Sequence, residues 1–288
     1  MSVPLLIADV PWLLYRAFFA LPDSIVDGEG RPVNALLGTV NALLAAVEAR
    51  APRAVAACFG AEQAAYRVEL YPPYHAHRDP MPEALAQQWT RAPELLASLG
   101  WTVSASEELE ADDVMFSYAN AETASGGRAL LLTGDRDLFQ VVGPRAAILE
   151  LPKGGDPAEI GPEQVRERYG IGPELVADFI ALRGDPSDGL PGAPGIGAKT
   201  ARDLLVRYGS LEETLAEVRR SVTAERPRVA AALRENGELL RAFKDIATLR
   251  HVEVERPADA VTDFAAGARA ARELRMNGLA KRLEGMLS

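Results

Sequence analysis

Eight carboxylates stand in four short runs: Asp9 closing LLIAD, Glu110, Asp112 and Asp113 in EADD, Asp135 and Asp137 in TGDRD, and Asp185 and Asp188 in GDPSDGLPG. Like charges gathered at one place repel one another and resist desolvation, so such a group persists when cations sit among it. Oxygen ligands without His or Cys beside them favour Mg²⁺ or Mn²⁺ over zinc. A multi-carboxylate centre of that kind serves phosphate and phosphodiester chemistry. Taken singly, each acidic pair reads as a solvated surface or a helix cap. The convergence of all eight at strand ends is what reverses that reading.

The elements that must position them are legible as alternation. Leu5–Asp9, Ala54–Phe59 and Ala129–Thr133 are short apolar runs separated by helical patterns, the mark of a parallel sheet flanked by helices. Ligands of open α/β sheets bind at the carboxyl ends of the strands, where Asp9, Gly60 and Asp135 follow the three runs. Glu110–Ala119 reads as a helix start whose first-turn acids are favoured by the helix dipole. Tyr71–Met81, with its three prolines, cannot be a regular core element, and Pro82–Leu99 is expected to be helical. Together they are expected to form a partly mobile arch over the sheet edge. From Gly161 onward the chain reads as helical, and Arg250–Val261 carries no clear pattern. In LPGAPGIGAKT (Leu190–Thr200), Gly195 and Gly197 precede a helix at Ala198–Tyr208, so backbone N–H groups can approach a phosphate, with Lys199 adding charge. This resembles a helix–hairpin–helix hook that grips a DNA backbone without reading bases.

Net charge is −10, from 41 acidic and 31 basic residues. Setting the eight clustered acids aside leaves the remainder close to neutral, so a local basic face for nucleic acid is compatible with the total. No apolar run has the length of a membrane span and the start of the chain lacks a signal-peptide pattern. A single cysteine, Cys58, cannot form an internal disulfide and is expected in the core. A cytoplasmic protein, associated with the nucleoid when acting, is the expectation.

The motifs LLYRAFFALP (Leu13–Pro22), YRVELYPPYHAHR (Tyr66–Arg78), EADDV, TGDRDLFQVV (Thr133–Val142) and LRGDPSDGLPGAPGIGAKTA (Leu182–Ala201) resemble, in order and spacing, the bacterial and phage 5′-nuclease or flap endonuclease family. The likeness extends to the 5′-nuclease domain of bacterial DNA polymerase I and its free-standing bacterial counterparts. It implies a Rossmann-like (PIN-like) α/β nuclease core at residues 1–160 with a helical arch around 71–100. A helical region at 161–288 would contain a helix–three-turn–helix DNA-binding motif. It further implies cleavage of 5′ flaps and 5′ ends of DNA by two or more Mg²⁺ or Mn²⁺ ions, by a monomer. Asp9, Glu110, Asp112 and Asp113 would be the first metal group, and Asp135, Asp137, Asp185 and Asp188 the second. Arg16 would contact the scissile phosphate and join Asp9, Asp113 and Asp135 as catalytic residues. Tyr66, Arg67, Tyr74, His75 and Arg78 would guide the strand. Gly195, Gly197 and Lys199 would hold duplex backbone, with K⁺ a further occupant of the hairpin.

Three departures stand out. Gly60 follows Phe59 where the family has Asp, so one carboxylate is missing, and restoring Asp at 60 is expected to raise Mg²⁺-supported cleavage; Glu62 is the nearest acid. His75 replaces a family lysine, and Val10-Pro11-Trp12 replaces Gly-Asn-Ser. Two rival readings stay open: a branched-DNA binding relative with weakened catalysis, and a PIN-like ribonuclease, which the hairpin and the length disfavour. Ordinary roles are expected for several residues: His75 and His77 facing solvent, His251 structural, and Trp12 and Trp101 packing.

Overall fold

The computed structural model describes residues 3–151, 157–220 and 225–287. The chain opens with β1 (Leu5–Asp9), α1 (Val10–Ala20) and α2 (Asn34–Arg50), then β2 (Ala54–Phe59), α3 (Ala65–Leu70), α4 (Glu83–Ser98) and β3 (Thr102–Ala105). α5 (Ala111–Ala124) leads to β4 (Ala129–Leu132), a 3-10 turn at Asp137–Val141, β5 (Ala146–Glu150) and β6 (Ala158–Ile160). The helices that follow are α6 (Pro162–Tyr169), a 3-10 turn at Pro173–Leu175, α7 (Val176–Arg183), α8 (Ala198–Tyr208) and α9 (Leu211–Arg220). After them come α10 (Pro227–Glu235), α11 (Gly237–Ala247), α12 (Phe264–Glu273) and α13 (Asn277–Gly285).

The strand order is β3-β2-β1-β4-β5-β6, all parallel except β6, which runs antiparallel to β5. Central strands of a parallel sheet are covered on both faces, which is why LLIAD and AVAACF are apolar without alternation. Side chains nevertheless alternate in destination. Leu5, Ile7, Ala56, Cys58 and Leu131 pack with α5, α7 and α11. Leu6, Ala8, Val55, Phe59 and Leu132 pack with α1, α2 and α4. Strand order reverses between β1 and β4, and such a reversal opens a crevice at the carboxyl edge.

The expected division at residue 160 groups α12 and α13 with the helical region. In the structure they lie on the opposite side of the sheet, where Ala268, Ala271, Leu279 and Leu283 share a core with Leu85, Leu95 and Leu99. Residues 250–262, which carried no clear sequence pattern, form an extended strap that makes this crossing. The strap is held by Arg250 N–H to Asp113 (2.7 Å), Val252 N–H to the Ser117 hydroxyl (2.8 Å) and Ala260 N–H to the Arg53 carbonyl (2.8 Å). Buried Glu122 pairs with Arg53 and Arg256 beneath it.

Candidate metal centre and nucleic-acid interface

The reversal of strand order places Asp9 and the TGD turn side by side. Asp9, buried at the end of β1, accepts from the Trp12 N–H (3.0 Å), capping α1, and from the Thr133 hydroxyl (2.7 Å) just past β4. Thr133 also accepts from the Asp135 N–H (3.0 Å), and Asp135 accepts from the Asp137 N–H (2.9 Å). Trp12 covers this turn so closely that a Cβ on Gly134 would come within 2.3 Å of its ring. Arg16 sits over the other part of that indole, 5.5 Å from its centroid, exposed at the rim. Thr133 and Trp12 were not singled out as site residues by sequence, although Thr133 lay within a quoted motif.

Electrostatics tie the acids together. Loss of water raises the Asp9 pKa to about 6; the hydrogen bonds from Trp12 and Thr133 oppose the rise and the Asp135 charge adds to it. Asp112 and Asp137 are held well above the ordinary carboxylate range, by desolvation first and then by neighbouring charge. Those charges are Asp135 and Asp9 for Asp112, and Asp135, Asp188 and Asp185 for Asp137. Asp135 is raised as well, by desolvation and, against the Asp137 N–H bond, by Asp188 and Asp185. Asp9, Asp112, Asp135 and Asp137 have no salt-bridge partner among the described residues. Four acids raised by burial and mutual charge at one edge, against smaller opposing effects of Arg67, Arg78 and Arg183, are a state that a hard divalent ion would relieve. Among the described residues no three His, Cys, Asp or Glu side chains stand close enough together to hold an ion as they are placed.

The remaining acids have partners. Asp185 accepts from the Ser187 N–H (2.8 Å) and pairs with Arg183 (3.2 Å). Asp188 meets His75 Nε2 and Arg78 Nη2, each at 3.0 Å. Glu110 and Asp113 form a capping box at the start of α5, and both pair with Arg67, Glu110 at 2.9 Å and Asp113 at 3.1 Å. Asp113, expected among the catalytic residues, is fully buried in that embrace.

Three of the expected strand guides are likewise turned inward. Arg67 is 3% exposed and also donates to the Ile246 carbonyl (3.0 Å). Tyr74 is buried and donates its hydroxyl to Glu110 (3.1 Å). His75, expected to face solvent, is buried, stacked on Tyr74 with centroids 3.8 Å apart, and adopts a left-handed φ of 55°. Its backbone N–H donates to the Asp188 carbonyl, which fastens the turn across the sheet edge. These three interactions are made with residues distant in the chain, which no local pattern signals. Tyr66 is half-buried, with the Arg250 guanidinium 3.3 Å from its ring centroid. Arg78 and His77 are exposed.

Gly60 is confined by space. A Cβ there would come within 2.3 Å of both the Ala111 nitrogen and the Glu110 carbonyl carbon, because the 109–111 backbone is seated on the end of β2. The Ala61 N–H donates to the Leu109 carbonyl (3.0 Å) at the same contact. An Asp at 60 could therefore serve as a ligand only if the backbone at 109–111 moved aside. Glu62 is exposed and outside the cluster.

Beyond the acids, α7 and α8 are joined by a glycine hairpin. Gly184 and Gly192 have φ of 84° and 65°, and a Cβ on Gly192 would come within 2.3 Å of the Gly184 nitrogen. Gly195 (φ 77°), Gly197 and Lys199 are exposed at the start of α8, with no atom within 4 Å of a Cβ built on Gly197. Among the described residues no helix is long and apolar enough to cross a membrane.

Residues 4–170 match the family model described as 5′-3′ exonuclease, N-terminal resolvase-like domain, and residues 171–265 match that of the 5′-3′ exonuclease, C-terminal SAM fold. The chain is 38% identical over 234 residues to DNA polymerase I of Mycobacterium tuberculosis, an alignment covering 81% of this chain and 25% of the polymerase. It is 36% identical over 237 residues to a 5′-3′ exonuclease of the same organism, covering 75% of this chain and 74% of that protein. In fold it resembles a variant of the bacteriophage T5 flap endonuclease, solved as a pseudo-enzyme-product complex with DNA and metal ions. That likeness has a TM-score of 0.68 and 17% identity, covering 99% of this chain and 98% of that one.

Proposed function

Because the chain belongs to the 5′-3′ exonuclease family, we propose that it hydrolyses phosphodiester bonds in 5′-ended or branched DNA at the acid cluster between β1 and β4. The observation that carries this reading is the gathering of Asp9, Asp112, Asp135 and Asp137 at one edge, raised in pKa by desolvation and by one another's charge, with none of them in a salt bridge among the described residues. Asp9, Asp112, Asp135 and Asp137, with Asp185 and Asp188 alongside, would hold Mg²⁺ or Mn²⁺. When bound, such ions activate a water and offset the charge of the leaving oxygen.

The protein's own residues do the rest. Trp12 and Thr133 fix the Asp9 carboxylate through both oxygens, so its orientation is set before substrate arrives. Exposed Arg16 can meet a phosphate by bidentate hydrogen bonds, whereas the fork of exposed Arg78 is engaged by the Ser187 carbonyl and Asp188 and brings its charge near the acids. The exposed amides around Gly195 and Gly197, with Lys199, form a sequence-independent grip on duplex backbone, and K⁺ is a suitable occupant of that hairpin. The chain spans about a quarter of the length of the DNA polymerase I relatives it matches, and the reading concerns that part alone.

The test is cleavage of a labelled 5′-flap substrate with and without Mn²⁺ or Mg²⁺, beside nicked, gapped and single-stranded DNA. Metal-dependent release of a 5′ fragment is the expected result. Binding of branched DNA without cleavage in either metal would favour the weakened relative that the missing acid at Gly60 suggests.

A further inference from the structure

The three acids of the EADD run share one helical turn but not one environment. Glu110 Oε1 accepts from the Ala64 N–H (2.9 Å), the Tyr74 hydroxyl (3.2 Å) and Arg67 Nη1 (2.9 Å). Asp113 Oδ1 accepts from Arg67 Nη2 (3.1 Å) and the Arg250 N–H (2.7 Å), and Oδ2 from the Glu110 N–H (3.2 Å). A carboxylate oxygen offers about two lone-pair sites, so Glu110 Oε1 and Asp113 Oδ1 have little left for an ion, while Glu110 Oε2 accepts only from the Tyr74 hydroxyl (3.1 Å). Asp112 between them has no hydrogen bond or ion pair of that kind among the described residues, and the charges of Asp135, Asp9 and Glu110 act on it, opposed by that of Arg67.

Arg67 is enclosed. Its Nε donates to the Ile246 carbonyl of α11, and the guanidinium cannot reach a strand outside without giving up contacts to three residues, one on α11 and two at the start of α5. Arginine's planar fork suits it to fix two carboxylates at once, which a lysine cannot do. The 109–111 backbone seated against Gly60 anchors the turn that carries Glu110, so the fork and the glycine act on the same few residues.

We infer that Arg67 withholds Glu110 and Asp113 from the metal centre, leaving Asp112 as the ligand of the run and setting the negative charge the ions meet. Arg67 is thus a positioning residue, and not a guide for the DNA strand. This rests on the metal-centre reading above, and the experiment separates the two. Mn²⁺ binding to the full chain, read from the free-ion paramagnetic resonance signal without DNA, is compared across variants. Glu110→Gln and Asp113→Asn keep shape and lose charge; each should leave Mn²⁺ affinity within about twofold of wild type. Asp112→Asn and Asp135→Asn should weaken it about tenfold or more. Arg67→Met frees two acids beside the centre and should tighten Mn²⁺ by about threefold or more. Adding Glu110→Gln to Arg67→Met should reverse most of that gain.

The inference is overturned if Glu110→Gln or Asp113→Asn weakens Mn²⁺ as far as Asp112→Asn does, or if folded Arg67→Met binds it no more tightly than wild type. Should Arg67→Met fail to fold, the two amide variants decide the matter alone. If Asp112→Asn and Asp135→Asn also leave Mn²⁺ binding unchanged, the metal centre itself is refuted, a result distinct from failure of the Arg67 assignment.

Discussion

Asp9 and Thr133 lie 124 positions apart in the chain and 2.7 Å apart in the fold, and the reversal of strand order is what joins them. Asp135→Asn should abolish flap cleavage while leaving flap binding measurable by anisotropy, since an amide keeps the shape but offers an ion no charge. Near-normal turnover would remove Asp135 from the centre. Gly60→Asp tests a packing claim. With backbone atoms 2.3 Å from its Cβ, the variant should lose about 1–3 kcal/mol in urea unfolding and gain no Mg²⁺-supported cleavage. Recovery of activity at full stability would show that the start of α5 can withdraw. The acids proposed for the site were legible in the sequence because they lie in short contiguous strings, at the ends of β1 and β4, at the start of α5 and just past α7. The inward turn of Tyr74 and His75 was not, since His75 finds Asp188 113 residues away and tyrosine or histidine in a proline-rich turn looks exposed by type alone.

Among elements, the two glycine pairs of the hairpin separate folding from grip. Gly192→Ala must strain a left-handed φ and push on the Gly184 nitrogen, so it should lower Tm. Gly197→Ala meets open space at an ordinary φ and should leave Tm unchanged while weakening DNA binding alike for unrelated sequences. Lys199→Ala should reduce the slope of log affinity against log salt by about one. A sequence-dependent loss in either variant would show that the hairpin reads bases. β1, β2 and β4 were visible as apolar runs because parallel central strands are buried on both faces. β3 was not, for it is a four-residue edge strand, half-exposed, with no alternation to mark it. β5 and β6 were also missed, β6 being three residues long.

At the scale of the molecule, the strap at residues 250–262 and Glu122 beneath it join the helical region to the sheet. Withdrawal from water opposes ionisation of Glu122, but hydrogen bonds from Arg53 and Arg256 outweigh it and its pKa lies below the ordinary value of 4.5. A depressed carboxyl pKa contributes stability that is present above the unfolded value and is lost as pH falls through the folded one. Glu122→Gln should therefore lower stability by about 3 kcal/mol at pH 7, since it leaves buried Arg53 without its full partner. The gap between variant and wild type should narrow as pH falls below the ordinary glutamate value and through the depressed value of Glu122, as urea midpoints across pH would register. A gap independent of pH would mean that packing, and not charge, holds the strap.

The crossing of the strap also bears on synthesis. α4 completes its core with α12 and α13, which the ribosome delivers more than 160 residues later. Until then α4 can pack only on α1, α2 and β3, and Leu99, which meets Gly267 of α12, waits roughly ten to thirty seconds for its cover at about 5–20 residues per second. In the later part of that interval the nascent chain already carries every acid of the cluster, so the sheet face opposite the helical region is finished only when α12 and α13 emerge.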